Sequence, residues 1–147
     1  LDLDPGNAGL RYNRGEAYRR AGRSAQATAD LEAVLAAEGE SADLLLALGL
    51  VAYEADAFDI AASRYERALA IRPDYPEAWN DLGVVEFRRG EYPRARKHFE
   101  KAIALSPDYA EAWLNLGDTY SELGMERERS EALAKGKALG ARGEDEE

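Results

Sequence analysis

The chain has 147 residues, 46% of them hydrophobic, with 19 Lys and Arg against 29 Asp and Glu and a net charge of −10 at pH 7. That balance argues against nucleic acid or an anionic membrane surface as partner, and the lack of any cysteine excludes a disulfide framework, a thiolate nucleophile and a cysteine-bound zinc. No apolar run approaches the roughly 20 residues that span a bilayer, and the chain does not open with a basic stretch and an apolar signal core; a soluble protein is expected, in a compartment the sequence leaves open, with the cytoplasm favoured.

Leu1, Leu3 and Pro5 stand in phase with Leu69, Ile71 and Pro73 and with Ile103, Leu105 and Pro107, so residues 1–7 read as the tail of a preceding repeat in an array cut from a longer chain. The phase is set by Gly15, Gly49, Gly83 and Gly117, each 34 residues after the last, and by Trp79 and Trp113 at the same spacing. A fixed period of this size signals a stack of small units, each burying its apolar face against its neighbours. Repeats are expected over 8–41, 42–75, 76–109 and 110–142.

Each repeat reads as two helices. In the third, Trp79, Leu82, Gly83 and Phe87 follow one helical period, and Ala95, Phe99, Ala102 and Ile103 follow another. Gly22, Asp56, Gly90 and Gly124 fall between paired helices, where a left-handed residue ends the first, and Pro76 and Pro93 suit a helical first turn. Gly83 and Ala95 let the pair approach closely, with Trp79 and Phe99 filling the space around them. The last helix carries Arg129 and Lys137 where earlier repeats carry Ala and Leu or Ile, which suits a terminal repeat with a polar outer face. Residues 143–147 read as a disordered acidic tail.

From Ala8 to about Gly140 these features resemble the tetratricopeptide repeat, whose pattern has an aromatic, Leu-Gly, a Tyr, then Ala, an aromatic and Pro. Departures are Arg11 and Leu45 in place of Trp, Arg14 in place of Leu, Glu86 where Tyr18 and Tyr120 stand, and Gly39 in place of Pro. The resemblance implies an all-α, right-handed superhelical solenoid of four helix-turn-helix repeats, and a protein-interaction scaffold whose first helices line a concave groove for a peptide segment or partner domain. It maps that groove onto Tyr12, Asn13, Glu16 and Arg19, then Leu46, Leu50 and Tyr53, then Asn80, Val84, Phe87 and Arg88, then Leu114, Asn115 and Asp118. Asn13 and Asn115 match places where some relatives grip peptide backbone with an amide, which both donates and accepts. Tyr53 and Phe87 count as aromatics spare to the core. Chaperone-binding relatives clamp a C-terminal carboxylate with cations, but the matching places here hold Tyr12, Glu16, Ala47, Glu77 and Asp81 in one register, and Leu46, Leu50, Asp81, Glu111 and Asn115 in the other. A chaperone-tail receptor is therefore not expected.

The chemistry for catalysis is missing. His98 is the sole histidine, so paired catalytic histidines and multi-histidine metal sites are excluded, and it is expected on a solvated outer face within the basic stripe Arg94, Lys97 and Lys101. No nucleophile has a partnering base and no Gly-rich phosphate loop follows a strand. The expectation is therefore no enzyme, no cofactor and no metal, with a protein or peptide as partner. The rival readings are a self-assembling array that stacks through its ends, hence a homo-oligomer, and a regulatory segment of a larger protein.

Overall fold

The computed structural model describes residues 7–145, so the expected preceding-repeat tail lies outside the described residues except for Asn7. The described residues fall into two compact units, divided between Pro73 and Asp74. The first unit holds α1 (Ala8–Arg20), α2 (Ser24–Glu38), α3 (Ala42–Glu54) and α4 (Phe58–Ile71). The second holds α5 (Pro76–Arg88), α6 (Tyr92–Leu105), α7 (Ala110–Glu122) and α8 (Glu126–Asp145). All secondary structure among the described residues is helical.

One backbone joint, repeated four times, turns each first helix into its partner. Gly22, Asp56, Gly90 and Gly124 have φ of 73°, 58°, 75° and 72°. At the first joint Arg23 N–H donates to Tyr18 O at 2.8 Å and Gly22 N–H to Arg19 O at 3.0 Å. The same two bonds recur from Ala57 to Ala52 and Asp56 to Tyr53, from Glu91 to Glu86 and Gly90 to Phe87, and from Met125 to Tyr120 and Gly124 to Ser121. These bonds satisfy the carbonyls that a helix end leaves open. Asp56 is the one non-glycine residue to take the left-handed conformation among the described residues, a place its short polar side chain tolerates. Two helix starts of the first unit, those of α1 and α3, are held by side chains: Asn7 Oδ1 accepts from Leu10 N–H and Ser41 Oγ from Leu44 N–H.

The paired helices then close on each other at a glycine. A β-carbon on Gly83 would lie 2.7 Å from Phe99 Cε1, and one on Gly49 would press into the Tyr65 ring. Tyr65 and Phe99 are each 1% exposed, and Ala61 and Ala95 beside them are wholly buried. Burying such a ring contributes roughly 2 to 3 kcal/mol, and only a missing side chain opposite admits it. In the first unit Ala27, Leu31 and Val34 of α2 meet Leu44, Leu48 and Val51 of α3 in one apolar cluster. In the second, Ala95, Phe99 and Leu116 are the buried centre, with Ile103, Trp113 and Tyr120 packed around them.

Two polar departures from the repeat pattern, Arg14 and Glu86, are paired. Arg14, in place of Leu, holds Asp30 through two bonds, Nε to Oδ2 at 2.7 Å and Nη2 to Oδ1 at 2.6 Å. That hydrogen-bonded guanidinium keeps the Asp30 carboxyl below the usual carboxylate range, against the opposing effect of burial. His98 corrects the expectation of a solvated outer-face histidine. Its Nδ1 lies 2.5 Å from Glu86 Oε2, its ring is 5.3 Å from that of Trp79, and the Glu86 side chain is 6% exposed. A buried carboxylate standing where the first and fourth repeats carry half-buried tyrosines requires a partner, and His98, on the adjoining helix, supplies it.

The acidic end corrects a second expectation. Gly143, Glu144 and Asp145 continue α8 as helix, while Glu146 and Glu147 lie outside the described residues. Extending an existing helix fixes one residue per bond gained and needs no new nucleus, so a charged run that would not fold alone is carried on by the helix before it. On α8, Arg129 pairs with Glu126 at 3.2 Å, and Lys137 is exposed.

Candidate functional site

In the second unit α5 and α7 bring four of the expected groove residues to one place. Val84 and Phe87, three apart on α5, and Asn115 and Asp118, three apart on α7, share their helix faces. With Phe99 they line a small hollow of about 50 Å³. The Phe87 ring is not spare, since it meets the Tyr92 ring edge-on at 5.2 Å. It therefore forms a wall of the hollow that is itself supported from behind.

Asn115 Nδ2 donates to Asn80 Oδ1 at 3.0 Å. Asn80, expected to face the groove, is wholly buried, a correction whose cause is that α7 covers it. Its Nδ2 has no acceptor in hydrogen-bonding geometry, although the Tyr109 hydroxyl lies close to that amide. Burial pushes the Tyr109 hydroxyl well above its ordinary value, and the negative charges of Asp81, Glu111 and Glu77 push it further. Glu77, Glu111, Asp118 and Glu122 make no ion pair among the described residues, so this face of α5 and α7 carries uncompensated negative charge. Arg88 is exposed at the end of α5. Leu114 points elsewhere: it packs where Gly136 of α8 leaves room, and does not line the hollow.

The corresponding helices of the first unit carry the same kind of residue with the charges matched. Glu16 pairs with Arg19 at 3.2 Å, Arg19 with Glu54 at 2.7 Å, and Arg72 with Asp43 at 3.2 Å. Tyr12 and Asn13 line a cavity of about 350 Å³ together with Ser41 and Asp43; burial, then the charge of Glu16, raises the Tyr12 hydroxyl. Leu46 and Leu50 are half-buried on α3, and the Tyr53 ring lies 5.8 Å from that of Phe58, so it too is occupied. The sequence reading missed Phe99 as a wall of the hollow and Asp43, Glu77 and Glu111 as a set. The set was visible, because the three acids stand one period apart.

Repeat by repeat, helix pairs of this length joined in this way identify a family, and the family is matched: the Tetratricopeptide repeat covers residues 12–76, 46–110 and 80–124, and a second description of the same repeat covers 110–139. The chain is a tetratricopeptide-repeat protein. No curated protein matches it. Among solved structures this tetratricopeptide-repeat chain is similar to MamA, at 25% identity and a TM-score of 0.85 over 97% of this chain and 83% of that one. It is similar to YrrB, described as a TPR protein with an unusual peptide-binding site, at 26% identity and a TM-score of 0.78 over 95% of this chain and 72% of that one. The fold is also that of a chain in the APC/C hetero-tetramer Cut9-Hcn1, at 24% identity and a TM-score of 0.83 over 94% of this chain and 28% of that one. Among the described residues no helix is long and apolar enough to cross a membrane, and no group of three or more His, Asp and Glu is placed to hold a metal ion.

Proposed function

We propose that this protein is a non-catalytic interaction scaffold whose second unit takes an extended, positively charged peptide segment on the shared face of α5 and α7. The observation that carries the reading is the hollow of Val84, Phe87, Asn115 and Asp118 set among carboxylates without ion-pair partners. An apolar side chain of the peptide seats between Val84 and Phe87, the Asn115 amide faces its backbone, and Lys or Arg beside it meets Glu77, Glu111 and Asp118. The peptide-binding site named for YrrB supports a groove role for this fold in general.

Selection from a displayed random-peptide library tests this. Recovered peptides are expected to combine an apolar residue with Lys or Arg. Phe87→Ala should weaken the best of them about thirtyfold, the usual cost of truncating an aromatic hot spot, and Asp118→Asn less. Because Phe87 also supports Tyr92, the denaturation midpoint is measured alongside. Lost stability with retained affinity, or recovered peptides that are acidic, would sink the reading, and light scattering over a concentration series separates it from self-assembly through the array ends.

A further inference from the structure

The two units are the same design at a distance of two periods, and one place is filled in the second and empty in the first. In the second unit Tyr120 of α7 lies against α6: its hydroxyl donates to Glu100 Oε1 at 3.3 Å, and the Arg96 guanidinium sits 5.8 Å from its ring centre. Arg96 is itself held by Glu100 at 2.8 Å and reaches Met125 Sδ at 3.9 Å. Two periods earlier the sequence puts Ala52 for Tyr120, Thr28 for Arg96 and Ala57 for Met125, yet keeps the acid, Glu32 for Glu100. Thr28, Glu32, Ala52 and Ala57 all line a cavity of about 350 Å³ between α2, α3 and α4, with the buried Leu48 and Val51 also in its lining.

Three large side chains have thus been cut back together while the hydroxyl acceptor remains. Part of the opening is apolar: Ile60, also in the lining, is 56% exposed. The volume lies at the small end of the range for ligand pockets.

We infer that the first unit carries a receptor site for a phenol ring, presented as a tyrosine side chain by a partner protein, which seats against Ala52 and donates its hydroxyl to Glu32. The chemistry selects the occupant. An apolar wall takes the ring, and a carboxylate at the mouth on a chain of net charge −10 favours a neutral hydroxyl donor over an anionic group. Arg64, 3.9 Å from Glu32, holds that carboxylate at the rim. The site is independent of the α5 and α7 face, so it stands or falls by itself.

The test is titration of the intact protein with p-cresol, with toluene as the ring lacking a hydroxyl, followed by amide NMR. We expect p-cresol to shift resonances around Thr28, Ala52 and Ala57 with a Kd on the order of 1 mM, the scale for a ligand this small, and toluene to bind about fivefold more weakly. Ala52→Tyr should abolish those shifts and raise the denaturation midpoint by filling the socket from within. Glu32→Ala, an exposed change that leaves the apolar wall intact, should bring p-cresol to the level of toluene. Should Ala52→Tyr fail to fold, the Glu32→Ala and toluene comparisons still decide. No shifts near Ala52, equal binding of toluene and p-cresol, or unchanged p-cresol binding in Glu32→Ala would overturn the assignment.

Discussion

The first and second units share a skeleton and differ in what stands on it. Both turn at left-handed residues with the same pair of backbone bonds, and both pass a ring across a bare glycine, Tyr65 over Gly49 in one and Phe99 over Gly83 in the other. On the second helix of each unit's first pair a polar side chain occupies the same repeat position, Asp30 or His98, but the partner differs. Asp30 takes Arg14, and His98 takes Glu86, one helical turn further along the facing helix. The acids on the first-helix faces are matched by Arg19 and Arg72 in the first unit, while four of those in the second are left without ion-pair partners. The lesson is that backbone joints and the glycine crossing are what must repeat, whereas the polar pairs need only be satisfied somewhere within reach.

The equivalence of the two crossings is tested by its largest consequence. Tyr65→Ala and Phe99→Ala should each cost about 3 to 5 kcal/mol by leaving a cavity where a ring had been wholly enclosed, read as a shift in the denaturant midpoint. A small effect at either would mean that the two joints are not alike. The polar pairs should then separate the units. His98→Ala strands a buried Glu86 and should cost about 2 kcal/mol, with His98→Gln recovering most of it by restoring a donor. Asp30→Asn should cost less, because Arg14 is far enough exposed to reach water once the carboxylate is gone. Equal losses at the two sites would show that burial of the remaining partner is not the deciding factor.

The smallest effect sharpens the comparison by pH. The Asp30 carboxyl titrates below its ordinary value in the folded chain, so its contribution to stability is present above the unfolded carboxylate pKa of about 3.9 and is lost as pH falls through the lower folded value. Denaturation midpoints recorded from pH 7 down to pH 2 should therefore fall more steeply for the wild type than for Asp30→Asn below about pH 4. Parallel curves would mean that Arg14 does not stabilise the charged form.

Period, helix type and the left-handed joints were legible in the sequence because each depends on local requirements: a glycine or aspartate where φ is positive, and small residues recurring where two helices cross. Of the expected groove, Val84, Phe87, Asn115 and Asp118 meet at one hollow, since a helical face can be counted from spacing alone. What the sequence did not decide is how far neighbouring helices cover a residue. Asn80 has a groove-facing register yet is sealed beneath α7, Leu114 packs toward Gly136, and His98 answers a carboxylate twelve residues earlier. The vacant place beside Ala52 became visible only when its filled counterpart around Tyr120 was seen. Spacing determines which side of one helix a residue occupies, while burial, pairing and cavities belong to two or three helices at once, and only tertiary packing sets those.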